Sequence, residues 1–247
     1  MPRPTHPKLL GPTKWTYYYL YVILDVFSRY VVGWLAAHRE TAVLAERLLA
    51  ATCERQGIPP GQLTLHADRG SSMTSKPVAL LLADLGVTKT HSRPHVSNDN
   101  PYSEAQLKTV KYRPAFPERF GSLEHARTVS GELLHWYNHE HHHAALGLLT
   151  PADVHCGRAA AKTAARAHVL AAAYARHPER FPRGVPQPPA VPAEVWINKP
   201  RSGPLTLFGA GPAPDDARGC LRRDDRDQGR DPTTPGFRGE ELVAAVQ

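Results

Sequence analysis

A chain of 247 residues with 41% hydrophobic content is long enough to bury a real core, as one sizeable domain or two small ones. Its formal net charge is +7, and because the segment from Arg201 onward holds seven Arg against eight Asp and Glu, residues 1–200 carry +8, which favours polyanions such as DNA or RNA without naming any chemistry. Cys53, Cys156 and Cys220 are an odd number and too widely spaced for a short zinc or redox motif, and neither a signal peptide nor an uninterrupted apolar run of about 18 residues is visible, so the expectation is a soluble, cytoplasmic protein in a reducing compartment with no membrane partner.

The first element is "WTYYYLYVILDVF", residues 15–27, whose aromatic and β-branched density predicts a buried strand. A turn at Ser28 and Arg29 leads into "YVVGWLAAH", so the two strands read as an antiparallel hairpin. Residues 40–57 have apolar positions at Val43, Leu44, Leu48 and Leu49 and stop at Gly57, the pattern of an amphipathic helix. "QLTLHAD" is a short strand ending in Asp68, "SKPVALLLADLG" a helix stopped by Gly86, and "VTKTHS" another strand. Asp99 or Asn100 can cap the helix that follows, with Pro101 at its first position. A long helix over "SLEHARTVSGELLHWYNHEHHHAAL" comes next, then "LTPADVH" as a capped turn into further helix, and "PRGVPQPPAVPAEVW" as an extended linker or arm. The order of elements implies an α/β domain with a mixed sheet.

On the helix after Pro101, Glu104, Lys108 and Lys111 are spaced four and three apart and form one stripe of a carboxylate and two cations. The stripe is either a solvated face with a Glu–Lys pair or a carboxylate that holds a metal beside lysines that hold phosphates. Asp68 stands at the carboxyl end of a strand, the edge where open α/β sheets bind ligands. The 35 residues between Asp68 and Glu104 suffice for one helix, one strand and a loop, so the two carboxylates can meet. Facing carboxylates repel unless a cation lies between them, and oxygen ligands suit Mg²⁺ or Mn²⁺.

The stretches "KLLGPTKWTYYYLYVILDVFSRYVVGW", "LHADRGSSMTS", "HSRPHVSNDNPYSEAQLKTVKYRPAFP" and "LLTPADVH" together resemble the core of bacterial insertion-sequence transposases with a retroviral-integrase-like domain, from about Lys8 to Pro200. The resemblance implies a ribonuclease-H-like fold, an Asp, Asp, Glu triad whose last two members are Asp68 and Glu104, and a two-metal Mg²⁺ or Mn²⁺ site that cuts DNA and joins the freed 3′-hydroxyl to another strand. It implies Lys108 and Lys111 along transposon-end DNA, target DNA as second substrate, and self-association. The family's first acid falls where this chain has Thr5, which implies a lacking or degenerate first strand, an N-terminally truncated or degenerate copy or else a start placed too late, impaired activity, and DNA recognition by a separate region or subunit. The competing readings are a non-catalytic DNA-binding remnant or an interfering partner of intact transposase, and a ribonuclease of the same fold.

The expected division is a catalytic core over residues 1–155, a helical extension and proline-rich arm over 156–200, and a disordered tail over 201–247. Asp25, which precedes "FSR", is expected to accept hydrogen bonds from its turn or pair with Arg29. The "HEHHH" cluster invites a zinc or nickel reading, but successive helical residues point around the axis, and only His139 and His143 are spaced to converge.

Overall fold

The computed structural model describes residues 8–59, 63–67, 75–91, 101–195, 197 and 241–245, with backbone only at 67, 77, 88–91 and 241–245. Strand β1 (Lys8–Leu10) pairs antiparallel with β2 (Tyr17–Asp25), which pairs antiparallel with β3 (Val31–Ala37). Helix α1 (Ala42–Gln56), β4 (Thr64–Ala67), α2 (Lys76–Asp84) and β5 (Thr88–His91) follow, with β4 and β5 parallel. Then come α3 (Pro101–Lys111), α4 (Leu123–His139), α5 (Pro151–His155) and α6 (Ala159–Arg176), with short 3-10 turns at Ala144–Leu146 and Pro178–Arg180. This is the mixed sheet flanked by helices that the resemblance implies.

The sheet is covered on both faces, which is why β2 reads as a nearly continuous apolar run. Tyr21 and Ile23 on one face join Ala45, Leu49 and Cys53 of α1 and Val78 and Leu82 of α2. Tyr18, Leu20, Val22 and Leu24 on the other join Val110 of α3 and Ala126, Leu133 and Leu134 of α4. Alternate residues of a strand face opposite sides, so this one segment serves two cores. At Gly33 in β3 an added Cβ would stand 2.3 Å from Thr52 Oγ1, so the glycine lets α1 approach the sheet.

Three expectations change. The α1 face turned inward is Ala45, Leu49, Thr52 and Cys53, with Val43 exposed, because α1 packs through its small residues where Gly33 opens room. The long helix ends at His139 and Glu140, and the chain then folds back so that His143 bridges Leu149. Most consequential, the C-terminal segment expected to be unstructured contributes a strand, β6 (Glu241–Ala245). It runs antiparallel to β2 and parallel to β4, between the two. The physical reason is that β2 and β4 each present a row of N–H and C=O groups that need partners, and "ELVAA" is an apolar run with no proline.

The capped turn forms as expected. The Thr150 hydroxyl accepts from Asp153 N–H and the Asp153 carboxylate accepts from Thr150 N–H, a capping box that starts α5. Burial alone would raise the Asp153 pKa, but bonds from Lys162 and Thr150 outweigh it and hold it at about 2. Lys162 Nζ lies 2.8 Å from that carboxylate, and Arg166 donates to the carbonyls of Gly147 and Leu148, so α6 is fastened to the body by its cations. The proline-rich arm makes no helix or strand over residues 181–195, and Pro189 passes close to Gly147, where a Cβ would stand 2.5 Å from the Pro189 carbonyl.

Candidate active site

Helix α3 is held at both ends. Near its start the Arg29 guanidinium sits 3.7 Å from the Tyr102 ring centroid, and Arg29 also donates to the Val26 carbonyl. Arg29 adopts a left-handed backbone with φ +63°, in the turn that joins β2 to β3. Near the far end Lys111 Nζ donates to the Lys8 carbonyl of β1 at 3.2 Å. Between these anchors Leu107 and Val110 are buried in the core. Pro101 takes the first helical position as expected.

Glu104 lies in the first turn of α3, where the helix dipole favours a carboxylate, and it is half-buried. It has no hydrogen-bond or ion-pair partner among the described residues. Its neighbours Ser103 and Gln106 are buried, and their Oγ and Nε2 atoms also lack a partner among the described residues. α3 runs against β6, the strand paired with β4, and β4 ends at Ala67, the residue before Asp68. Asp68, Thr5 and the expected caps Asp99 and Asn100 lie outside the described residues. Of the expected pair, Glu104 is therefore the described member.

The stripe of Glu104, Lys108 and Lys111 divides. Lys108 is exposed, whereas Lys111 is 4% exposed and turned onto β1. Burial lowers the Lys111 pKa to about 8. Spacing alone put the two lysines on one face, but the second ends its helix against a strand, and its long side chain follows the available carbonyl inward.

Two models of the integrase core domain match this chain, one over residues 8–97 and the other over 85–151. The chain belongs to the integrase core family. The transposase for insertion sequence element IS904 of Lactococcus lactis is 31% identical over 143 residues, covering 58% of this chain and 56% of the relative. Transposase InsF for insertion sequence IS3A of Escherichia coli is 31% identical over 135 residues, covering 54% of this chain and 46% of the relative. The chain thus spans about half the length of the curated relatives it matches. The catalytic core domain of BIV integrase covers 64% of this chain and 99% of its own at 20% identity, with a TM-score of 0.39.

This integrase core also holds a second polar centre, which sequence reasoning found only in part. Asp25 accepts from Phe27 N–H at 3.0 Å and from the Ser28 hydroxyl, as a turn aspartate should. The third partner of its side chain is His155, at the end of α5, with Nδ1 3.1 Å from Asp25 Oδ2, while the Arg29 side chain turns to Tyr102 and Val26. His155 Nε2 meets Gln56 Oε1 at 3.2 Å, and Tyr30 stacks on the imidazole at 4.4 Å. With both ring nitrogens engaged, His155 acts as a clamp that ties α5 to the hairpin and to α1. A separation of 130 residues leaves no local signal for that pair.

The histidines at the end of α4 are stacked with other rings. His139 meets His135 and Tyr30, and His143 meets Tyr137 and His141. Among the described residues no three His, Cys, Asp or Glu side chains gather as a metal group. Among them, too, no helix is long and apolar enough to cross a membrane.

Proposed function

We propose that this chain is the core of an insertion-sequence transposase that acts on DNA, with Asp68 and Glu104 as its carboxylates and Lys108 on the phosphate backbone. The observation that carries the reading is Glu104, a half-buried carboxylate without a partner among the described residues, in the first turn of a helix anchored at both ends, within a chain of the integrase core family. Hard oxygen donors fit Mg²⁺ or Mn²⁺, and Asp68 and Glu104 would hold the ion. Bound there, a divalent ion supplies charge stabilisation for in-line displacement at phosphorus. The chain's own groups set the rest: the α3 anchors fix Glu104, and the exposed Lys108 adds a cation one turn along. The positive balance over residues 1–200 draws DNA to the surface. DNA ends, target DNA and self-association belong to the same reading, as does a separate recognition region.

As written, the chain is expected to bind DNA and metal but to be impaired in cutting, because Thr5 offers a neutral hydroxyl where the resemblance implies a third carboxylate. Calorimetric titration with Mn²⁺ and a nicking assay on labelled duplex test this together. Binding should disappear in Glu104→Ala and in Asp68→Ala, with no cleavage by the parent chain. Unchanged Mn²⁺ affinity in Glu104→Ala would overturn the site. Nicking by the parent that either variant abolishes would overturn the expected impairment.

A further inference from the structure

The hairpin between β1 and β2 ends in an aromatic ring that the fold itself does not use. Gly11 N–H donates to the Thr16 carbonyl at 2.7 Å and Thr16 N–H donates to the Thr13 carbonyl at 3.2 Å, so Thr13 to Thr16 form a tight turn with Trp15 third. Trp15 has φ +70°. A positive φ at that position suits glycine or asparagine, because a larger side chain crowds the backbone. Here the residue is a tryptophan, and it is 77% exposed. The indole therefore gains little from burial that would offset the strain of its backbone, and strain held without a packing return points to a role outside the fold.

The turn is fastened from the side as well. Arg119 Nη1 donates to the carbonyls of Gly11 at 3.0 Å and Thr13 at 3.4 Å, and Phe120 N–H donates to the Leu10 carbonyl at 2.8 Å. The Thr13 and Thr16 hydroxyls meet at 2.7 Å across the turn. Cations and rings interleave around this tip. Lys14 Nζ lies 5.4 Å from the Trp15 ring centroid. Lys8, opposite Tyr19 in the β1–β2 register, sets its Nζ 6.0 Å from the Tyr17 ring centroid and 5.8 Å from that of Tyr19. Both lysines are exposed, and the two tyrosines are half-buried on one face of β2, since strand residues two apart point the same way.

We infer that the β1–β2 hairpin binds unpaired nucleotides of a DNA strand, with a base stacked on Trp15 and the neighbouring phosphates on Lys14 and Lys8. An indole offers a broad flat face and a single donor, so it can stack on a base but cannot read the pattern of a base edge. Bases inside a duplex already stack on one another, and only an unpaired base has a free face. An uncharged apolar partner would leave the two lysines without counterions, whereas a strand that carries one phosphate per base supplies a ring and a charge together. The +8 balance over residues 1–200 adds to that attraction. Because the turn is already fixed, the ring needs no further ordering when a base arrives. Stacking at this hairpin rests on the DNA reading above and not on its carboxylates.

Fluorescence anisotropy of the full 247-residue chain on labelled oligo(dT) and on its duplex with oligo(dA) tests the hairpin, in EDTA so that no divalent ion takes part. Trp15→Asn removes the ring and keeps a residue suited to the left-handed turn. It should weaken binding of oligo(dT) by ~10-fold or more, leave duplex binding unchanged and not lower the thermal midpoint. Trp15→Phe should keep most of the oligo(dT) affinity, and Lys14→Ala should reduce the slope of log K against log salt for oligo(dT) by about 0.7. Unchanged oligo(dT) affinity in Trp15→Asn would overturn the stacking site, as would equal losses on both forms of DNA. So would a parent chain that is dimeric by light scattering and becomes monomeric in Trp15→Asn, since the ring would then serve a second copy. A parent chain that binds neither form of DNA would overturn the DNA reading itself and the hairpin site with it.

Discussion

Asn138 does for the start of β3 what a neighbouring strand does elsewhere: its Oδ1 accepts Val31 N–H at 2.8 Å and its Nδ2 donates to Val31 C=O at 3.1 Å. Both ends of the interaction are buried. Asn138→Ala should therefore destabilise the fold by about 2–4 kcal/mol in urea denaturation, because two buried backbone groups lose their partners together. Asn138→Asp keeps the acceptor alone and should fall between the two. The lysines of α3 separate at the same scale. If the exposed Lys108 meets a phosphate, Lys108→Ala should lower the slope of log K against log salt by about 1. The buried Lys111 should leave that slope unchanged when replaced by Met, a contrast that anisotropy measurements on a fixed duplex will show. A reduced slope in Lys111→Met would mean that this lysine swings out to DNA.

The packing of α1 on β3 is a matter of one hydrogen atom at Gly33. A methyl there would meet Thr52 Oγ1 at 2.3 Å, and that hydroxyl is fixed by its bond to the Leu48 carbonyl at 2.7 Å. Gly33→Ala should cost about 1–3 kcal/mol through overpacking. Thr52→Ala in the same chain should return most of it, since the two changes share one space, and a double-mutant cycle of thermal or urea denaturation reads the coupling. Simple additivity of the two variants would show that α1 shifts as a whole. Other elements behaved as their local chemistry dictates. Thr150, Pro151 and Asp153 spell the start of α5 in consecutive residues, and Gly57 ends α1 in the left-handed conformation with φ +62°. The end of α4 carries no such mark. Glu140 stops it because the chain returns to bridge Leu149, a tertiary cause.

For the molecule as a whole, acid is the sensitive direction. Burial lowers the pKa values of His139, His141 and His143, the last to about 4. In the unfolded chain these imidazoles take a proton near their ordinary pKa of about 6.5, so between about pH 6.5 and 4 the unfolded state binds more protons than the native one. Stability should thus fall as pH drops through that window. His143→Phe, which keeps a ring between Tyr137 and His141, should flatten the dependence while leaving stability at pH 8 close to that of the parent. Denaturation midpoints at pH 8, 6 and 4.5 provide the measurement. An undiminished slope in the variant would place the acid sensitivity in other groups.

Sequence by itself determined what depends on neighbours along the chain. Aromatic and β-branched density marked β2 and β3, the glycine stop marked α1, proline opened α3, and the order of strands and helices fixed a mixed sheet with helices on both faces. It also brought Glu104 to the first turn of its helix, because helix starts are written in a few consecutive residues. What only the tertiary structure decided were the partners of side chains and edges far apart in sequence. Lys111 turned inward to Lys8, Asp25 found His155, and the last residues of the chain entered the gap between β2 and β4. Each of these outcomes is set by which donor, acceptor or strand edge lacks a partner once the rest has folded, and no periodicity records that.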